Sequence, residues 1–284
     1  MAKYEVVNGV GIIPEGVTEI VESAFEDCTS LTSVVIPEGV TEIGNYAFYK
    51  CTSLTSVEIP SSVTVIGCSA FYGCTSLTSV VIPEGVTEIG WNAFEGCESL
   101  TSVVINGKIK EIGESTFSNT GLESITLPSS IRAIGESAFS GCTSLTSIVI
   151  PERVTEIESW AFYGCESLTS VIIPSSVTEI GYKAFEDCTG LESITLPAGV
   201  EKIYDNAFEG CTSIKAINVP AKTKDYYIQC LPEELHSLIV EMEPVKKTKG
   251  RDVSYGIWRI VRTEDNRTEV YKNNERCPKS APAL

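Results

Sequence analysis

The sequence predicts a solenoid, a fold in which short coils of similar structure stack side by side. A unit of 23 residues recurs nine times, and only one step between neighbouring units is shorter, at 22 residues. Repeats of about 20 to 50 residues are typical of solenoids, in which each unit packs only against its neighbours. Every unit contains one phenylalanine at a fixed position, usually after alanine: Phe25, Phe48, Phe71, Phe94, Phe117, Phe139, Phe162, Phe185 and Phe208.

Within each unit, the apolar pattern predicts a strand followed by a helical turn. Residues 31–51 read L-x-x-V-x-I-P-x-x-V-x-x-I-G-x-x-A-F-x-x-C. The alternation of Val34 and Ile36 with their neighbours is the two-residue period of a strand, and Pro37 ends that strand because proline has no N–H to donate. A short helix or 3₁₀ turn is then predicted from apolar residues at helical spacing, namely Ile43, Ala47, Phe48 and Cys51.

One unit buries too little apolar surface to offset the entropy of ordering its backbone, so it cannot fold alone. Neighbouring units must therefore share a core and pair their strands in parallel, ~4.8 Å apart. The repeat thus predicts one continuous core and a parallel sheet along the solenoid.

The strand signature L-x-x-V-x-I is similar to that of leucine-rich repeats, and its continuation through Pro, Ile-Gly, Ala-Phe and Cys resembles the BspA-type class. Residues 28–44 and 74–90 are identical over 17 residues. The resemblance implies an α/β-type horseshoe or arc, with a parallel sheet on the concave side, short helices or 3₁₀ turns on the convex side and a C-terminal cap. It also implies a surface or secreted protein that binds host or matrix proteins, with no catalysis.

Four regions are predicted along the chain. Residues 1–11 supply an N-terminal cap strand, and residues 12–220 contain the nine repeats. The period stops after Pro220, and residues 221–243 are predicted as a cap helix, with Pro232 and two acidic residues at its start. Residues 244–284 are predicted as a Lys-rich linker and a β-hairpin, because β-like runs occur at 255–262 and 268–272.

The fifth repeat departs from the pattern. It has Asn106-Gly107 where other repeats have proline, and it loses one residue together with the cysteine near Asn119. We expect a local change of curvature and a gap in the cysteine column. A tolerated structural variant is favoured over a functional hinge.

The acidity belongs to the repeats. Residues 1–220 contain 9 basic and 28 acidic side chains, whereas residues 221–284 contain 12 and 10. An acidic surface repels phosphate groups, so neither nucleic acid nor an anionic membrane is expected as a partner. Glutamates at a fixed phase could bind Ca²⁺, but that ion needs about six to eight oxygen ligands, and a solvated, solubilising face is the favoured interpretation.

Eight cysteines occupy one phase of the repeat, which predicts a buried, reduced column that packs as small hydrophobic side chains. Disulfides between neighbours remain the alternative. The exposed thiols are expected at Cys68, Cys230 and Cys277. The column consists of Cys28, Cys51, Cys74, Cys97, Cys142, Cys165, Cys188 and Cys211.

No pattern predicts catalysis, a cofactor or a metal site. The single histidine, His236, lies beside Glu233 and Glu234 in the predicted cap helix, where a solvated side chain is expected. Nucleophile, phosphate-binding, dinucleotide and zinc motifs are absent from the sequence. The glycines after isoleucine are interpreted as turn residues.

The outward face of the predicted sheet is the candidate binding surface. One column is serine and the next is mostly β-branched, so the face carries little charge, and apolar patches of low charge can mark partner contacts. The β-branched residues also suit any strand, which is the alternative. The candidate residues are Ser79, Val81, Ser102, Val104, Ser147, Val149, Ser170 and Ile172, and a second candidate is the outer-turn set Tyr72, Trp91, Trp160 and Tyr163.

The leading hypothesis is a protein-binding or adhesion module without enzymatic activity. The alternatives are a structural spacer that displays the C-terminal segment and an intracellular interaction scaffold. Residues 1–4 lack an apolar signal segment, and no run approaches about 18 apolar residues, so membrane insertion is not expected. Two explanations fit these N-terminal residues: a signal segment that has been removed, or an intracellular member of the family.

Overall fold

The computed structural model describes residues 3–242 and, beyond them, the backbone of four strands: Val253–Tyr255, Trp258–Arg262, Thr268–Lys272 and Glu275–Arg276. Residues 3–242 form a parallel-strand solenoid of stacked coils with few helices, as the repeat predicts. Each coil contains a main strand, a short strand and an outer turn. We number the coils one to nine by their phenylalanine, from Phe25 to Phe208.

The main strands pair in parallel and in register, so equivalent residues of successive coils lie side by side. The sheet is interrupted once, between coils five and six, which leaves two sheets. The interruption coincides with the residue that coil five lacks. The main strands of coils one to nine are Val10–Ile12, Ser33–Val35, Ser56–Glu58, Ser79–Ile82, Ser102–Ile105, Ser124–Ile125, Ser147–Val149, Ser170–Ile172 and Ser193–Thr195.

A second ladder is formed by short strands of two residues, each with an isoleucine turned into the core. This ladder is interrupted one coil earlier, between coils four and five. The chain there runs through Asn106 and Gly107 in place of the usual proline turn. The short strands are Glu19–Ile20, Glu42–Ile43, Val65–Ile66, Glu88–Ile89, Glu111–Ile112, Ala133–Ile134, Glu156–Ile157, Glu179–Ile180 and Lys202–Ile203.

The core is continuous through both interruptions. The nine phenylalanines are buried, and neighbouring rings stack with centroids 5.0–5.7 Å apart and planes 4–17° from parallel. Leucine, valine and isoleucine from the two strand ladders surround this stack. The coils therefore close each other's apolar interior.

Of the short helix or 3₁₀ turn predicted for each outer segment, the structure has the turn, and the described repeats contain no helix. In coil one, the N–H groups of Ser23, Phe25 and Asp27 donate to carbonyls of coil two, at 2.9, 2.7 and 2.8 Å. The intervening N–H groups bond three residues back, as in 3₁₀ turns. Ser23 and Asp27 have φ of 55°, a left-handed conformation that a helix does not contain.

Glycine after isoleucine begins the outer turn, as predicted, since its carbonyl accepts from the N–H three residues on, as Gly67 does from Ala70. The glycine also allows close approach of the coils. A Cβ atom on Gly90 would lie 2.4 Å from the Cys68 nitrogen, and one on Gly67 would lie 2.6 Å from the Asn45 nitrogen. Neither glycine has a positive φ. These positions are restricted by the backbone of the preceding coil.

The N-terminus forms an antiparallel hairpin, in which Glu5–Val7 pairs with Val10–Ile12. Asn8 and Gly9 connect the strands with φ of 50° and 82°, the conformation that tight two-residue hairpins favour. The hairpin supplies the first strand beside coil one. The asparagine-glycine pair could have predicted this turn.

After coil nine, the strand Ala216–Pro220 is followed by the α-helix Lys224–Cys230, a 3₁₀ helix Glu233–Leu238 and the strand Ile239–Met242. The region predicted as one helix near Pro232 thus holds a 3₁₀ helix and a strand. Tyr227, Leu231 and Leu235 are buried in the same core cluster as the repeats. This burial supports the predicted C-terminal cap, which stays a prediction.

The four strands beyond residue 252 form an antiparallel sheet of their own. Trp258–Arg262 pairs with Thr268–Lys272, the two central strands of the region predicted as a hairpin. The first β-like run divides into two strands, and a fourth strand follows. The predicted linker at 244–250 and Cys277 lie outside the described residues.

Candidate functional site

The outward face of the main sheet carries two parallel columns of side chains. The serine column is exposed at Ser79, Ser102, Ser147 and Ser170. In the adjacent column, Val81, Val104 and Val149 are 51%, 47% and 68% exposed, and Ile172 is half-buried. These eight residues occupy the face that the alternation of the strands predicts. Their role in binding stays a prediction.

The eight residues form two patches. Ser79 pairs with Ser102 and Val81 with Val104, which brings coils four and five together. Ser147 pairs with Ser170 and Val149 with Ile172, in coils seven and eight. Coil six lies between the patches and is separated from coil five by the sheet interruption. The sequence did not predict this division.

A threonine column borders the serine column and holds it in place. Thr55 Oγ1 donates to the Thr32 carbonyl at 3.2 Å, and Thr78 Oγ1 donates to the Thr55 carbonyl at 3.4 Å. The same bond recurs in the second sheet, where Thr169 Oγ1 donates to the Thr146 carbonyl at 3.3 Å. These bonds tie neighbouring coils together beside the candidate surface. The recurrent Thr-Ser-Val step is the sequence signal of this threonine column.

The exposed apolar column extends beyond the predicted residues. Val35 is 70% exposed, Ile12 pairs with it at the N-terminal end, and Val240 is exposed at the C-terminal end. Glu58 places one charge beside Val35. The surface therefore runs along most of the sheet and carries few charges.

The second candidate surface lies on the outer turns. Trp91 is 58% exposed, and the Tyr72 ring stacks on Tyr49 with centroids 4.9 Å apart. Trp160 packs edge-on against Tyr182, with centroids 5.3 Å apart. Tyr163 is exposed in the same coil as Trp160. The aromatic rings thus form two groups, in coils two to four and in coils seven and eight.

A model of a known protein family matches most of the chain. The model described as BspA type leucine rich repeat region matches residues 11–123 and 110–231. This chain belongs to the BspA-type leucine-rich repeat family. Proteins with such repeats are generally protein-interaction modules and typically lack enzymatic activity. A comparison with curated proteins found no significant match.

Several solved structures of bacterial proteins are similar to this BspA-type chain. A leucine rich cell surface protein from Faecalibacterium prausnitzii is 31% identical over 80% of this chain and 67% of its own, with a TM-score of 0.50. A leucine-rich repeat protein from Bacteroides ovatus is 27% identical, with coverages of 81% and 83% and a TM-score of 0.34. A third, from Eubacterium ventriosum, is 26% identical, with coverages of 75% and 66% and a TM-score of 0.49.

The cysteine column of these BspA-type repeats is a ladder of thiol hydrogen bonds. Each buried thiol donates to the phenylalanine carbonyl of the preceding coil, as Cys74 does to Phe48 and Cys97 to Phe71, both at 3.1 Å. None of the ten cysteines in the described part of the chain forms a disulfide. Cys28 has no preceding repeat and is half-buried.

The expected gap in the cysteine column of coil five is filled. Thr120 lies three residues after Phe117, at the cysteine position, and is 3% exposed. Its Oγ1 donates to the Phe117 carbonyl at 2.8 Å and lies 3.2 Å from Cys142 Sγ. The residue that coil five lacks is therefore lost after this position, where the main sheet is interrupted.

Alkylation should separate the buried thiols of the BspA-type column from the others. Burial raises the pKa of Cys51 and Cys97 to about 12 and that of Cys142 to about 11, and the thiolate is the reactive form. With iodoacetamide at pH 8, we expect the three half-buried cysteines, Cys28, Cys68 and Cys230, to react first. Peptide mass spectrometry of folded and denatured protein measures the order, and equal rates for Cys97 and Cys68 would contradict the expectation.

The single histidine of this BspA-type chain lies in the 3₁₀ helix after coil nine. His236 Nε2 lies 2.8 Å from the Leu231 carbonyl. An open cavity of about 270 Å³ lies at the interrupted short-strand ladder and is lined by Thr87, Glu88, Ile89, Ile109, Lys110 and Glu111. Within the described residues, no helix has the length and apolar character that crossing a bilayer requires.

Glu158 provides a test of the electrostatics of the acidic face. It stands where most repeats have glycine, and burial, followed by repulsion from Glu156, raises the pKa of its carboxyl group. When a carboxyl group has a higher pKa in the folded than in the unfolded state, the protein loses stability as pH rises from the unfolded pKa through the folded pKa. We expect Glu158→Gln to stabilise the protein at pH 7 by less than about 1 kcal/mol, since the group is partly solvated.

The gain from Glu158→Gln should vanish at acidic pH. Below the unfolded pKa of glutamate, about 4.3, residue 158 is neutral in the folded and the unfolded state of both proteins. The wild type and Glu158→Gln should then have equal stability. Urea unfolding at pH 7 and at low pH measures the difference. Glu166→Gln, at an exposed position, is the matched control and should change stability little at either pH. A gain that persists at low pH would contradict the electrostatic cause.

Proposed function

We propose that this protein is a non-enzymatic protein-interaction or adhesion module that engages a partner through the concave face of its main sheet. The observation that carries the proposal is the exposed valine column, with Val81, Val104 and Val149 about half or more exposed. Exposed apolar side chains in a row of low charge favour partner contact. The threonine bonds beside the column keep the surface ordered, which lowers the entropy cost of binding.

The proposed partner is a protein, such as a host or extracellular matrix protein. The similar protein from Faecalibacterium prausnitzii is described as a cell surface protein. Residues 1–220 contain 28 acidic and 9 basic side chains, so the acidic surface of the repeats disfavours nucleic acid. A partner with an apolar contact region and a basic periphery fits this surface.

Charge substitution in each patch tests the proposal. One variant combines Val81→Glu with Val104→Glu, and a second combines Val149→Glu with Ile172→Glu. Binding partners are first captured in parallel from extracellular matrix and from cell lysate, then purified and titrated against each variant. We expect at least one variant to weaken binding by about 100-fold, because a buried unpaired charge costs several kcal/mol.

Val65→Glu combined with Ala133→Glu is the matched control. It adds the same two charges to the short-strand ladder, where glutamate occupies the equivalent positions of the neighbouring coils. Circular dichroism and thermal unfolding should be alike in all variants. Unchanged affinity in both patch variants would reject the sheet face as the binding surface.

A structural spacer is the second candidate. It is favoured by the separate antiparallel sheet of the C-terminal strands, which pair with one another. Deletion of residues 250–284 distinguishes the two functions. A binding solenoid keeps its partner after the deletion, whereas a spacer that displays the C-terminal segment loses it.

A further inference from the structure

The outer turns form a third hydrogen-bonded ladder along the solenoid. In every coil from one to eight, three N–H groups donate to carbonyls of the next coil, over 2.7–3.4 Å. The donors are the phenylalanine and the residues two before and two after it. We call this the outer-turn ladder. All its N–H groups point toward the C-terminal end of the solenoid.

The last donors of the outer-turn ladder have no acceptor among the described residues. These are the N–H groups of Asn206, Phe208 and Gly210 in coil nine. Asn206 and Gly210 have φ of 61° and 73°, so the turn has the same form as in the other coils. Leu231 lies 23 residues after Phe208 and is buried, but it follows an α-helix instead of a tenth outer turn. The core continues past coil nine, whereas the ladder ends there.

At the opposite end of the outer-turn ladder, two of the three acceptor carbonyls of coil one have donors in the N-terminal segment. Lys3 donates its backbone N–H to the Ala24 carbonyl at 2.7 Å and its Nζ group to the Glu22 carbonyl at 2.5 Å. The two ends of the ladder are therefore different. A row of unpaired donors at one edge is a template for the addition of a further segment, here one that adopts the same turn as the other coils.

The charges around the open edge select the type of acceptor. Asp205 and Glu209 are exposed and alternate with the three donors, and Asp187 is exposed beside Gly210. Carboxylates repel an anionic ligand and attract a basic one. A basic peptide segment fits both requirements. Its neutral carbonyls accept from the three N–H groups, and its basic side chains pair with the carboxylates.

We propose that the open edge of the outer-turn ladder in coil nine binds a basic segment of another protein, which adds a tenth outer turn to the ladder. The N–H groups of Asn206, Phe208 and Gly210 donate to carbonyls of the first, third and fifth residues of that segment. The site is separate from the main-sheet surface, and it does not depend on the function proposed above.

The register of the ladder specifies the sequence that fits. The first and fifth residues of the segment lie beside Asp205 and Glu209, so lysine or arginine is favoured there. The third residue lies beside Ala207, and the middle acceptor in earlier coils is alanine or, in coil five, Thr116. A small residue is therefore required at the third position. The expected pattern is Lys-x-Ala-x-Lys.

Amide hydrogen exchange of the full-length chain, measured by NMR, tests the proposal. The probe is the blocked peptide Lys-Ser-Ala-Leu-Lys, and the control peptide has glutamate in place of both lysines. In the free protein, the amides of Asn206 and Gly210 should exchange quickly, whereas the paired amides of Lys183 and Asp187 should be protected. Addition of the lysine peptide, at up to about 1 mM, should slow exchange at Asn206, Phe208 and Gly210.

Charge reversal tests the recognition of basic residues. Asp205→Lys with Glu209→Lys should weaken binding of the lysine peptide roughly tenfold. Glu98→Lys with Glu123→Lys, at exposed positions in the middle of the solenoid, is the matched control and should leave affinity within about twofold. The main-sheet variants should bind the peptide normally.

Four outcomes would overturn the proposal. Slow exchange of the three amides in the free chain would mean that residues beyond 242 already pair with the edge. Protection that rises with protein concentration alone would assign the edge to a second copy of the chain. Equal protection by the glutamate peptide would contradict the preference for a basic segment, and no protection by the lysine peptide would contradict the addition of a segment to the ladder.

Discussion

Phe162→Ala is expected to destabilise the solenoid by about 3–5 kcal/mol, the cost of deleting a fully buried aromatic side chain. The Phe162 ring is buried between Phe139 and Phe185, with centroids 5.5 and 5.1 Å away. Its removal leaves a cavity that two neighbouring coils line. Because each coil interacts only with its neighbours, the variant should also uncouple the two ends of the solenoid and broaden the unfolding transition.

Urea unfolding followed by circular dichroism measures both effects. Tyr163→Ala is the matched control, since this residue is adjacent in sequence and exposed on the outer turn. Its expected cost is within about 0.5 kcal/mol. An equal loss of stability in the two variants would mean that the phenylalanine stack does not hold the coils together.

Gly90→Ala has the second largest expected effect, because it adds a single methyl group against backbone atoms. The new Cβ atom would lie 2.4 Å from the Cys68 nitrogen and 2.6 Å from the Gly67 carbonyl carbon. No side-chain rotation can relieve these contacts, so coils three and four must move apart. We expect a loss of about 1–3 kcal/mol or more, as for overpacked cores.

Gly199→Ala provides the comparison for Gly90→Ala. Its Cβ atom would meet only the Ser175 carbonyl oxygen, at 3.3 Å, and Gly199 does not have a positive φ. Its stability should therefore change by less than about 1 kcal/mol in either direction. Thermal and urea unfolding of both variants measures the difference. A neutral Gly90→Ala would show that the coils can separate without cost.

The strand part of the repeat was predictable residue by residue. The two-residue period placed Val34 and Ile36 in the core and Val35 outside, and the structure has this arrangement. Alternation along a strand is local geometry, so it can be inferred without knowing the neighbours. The same reasoning placed Val81, Val104 and Val149 on the outward face.

The sequence left a helix and a 3₁₀ turn open for the outer segments, because alternate N–H groups there bond to the next coil and not within the segment. Ile43, Ala47 and Cys51 have helical spacing, and all three are buried. Yet the N–H group of Phe48 donates to Ala70 of the next coil, at 2.7 Å. Pairing between coils replaced the bonds of a helix. Periodicity predicts which side chains are buried, but it does not specify the partner of each N–H group.

The column of candidate residues was predictable from the sequence, but its division into two patches and its full length were not. The sequence showed that Val104 and Val149 share one phase, but the sheet interruption between coils five and six separates them into two patches. Ile12 and Val240 extend the column from outside the regular repeats. Their positions follow from pairing of the terminal strands.

The repeated sequence by itself determined the stacking of the coils, the buried phenylalanine column and the face on which the valines lie, because these features follow from local periodicity and from apolar burial. Only the tertiary structure decided which backbone groups pair across coils, where the sheets are interrupted and which donors remain at the end of the ladder. Those features depend on how closely neighbouring coils approach, as at Gly90, and on the path of the chain after Pro220.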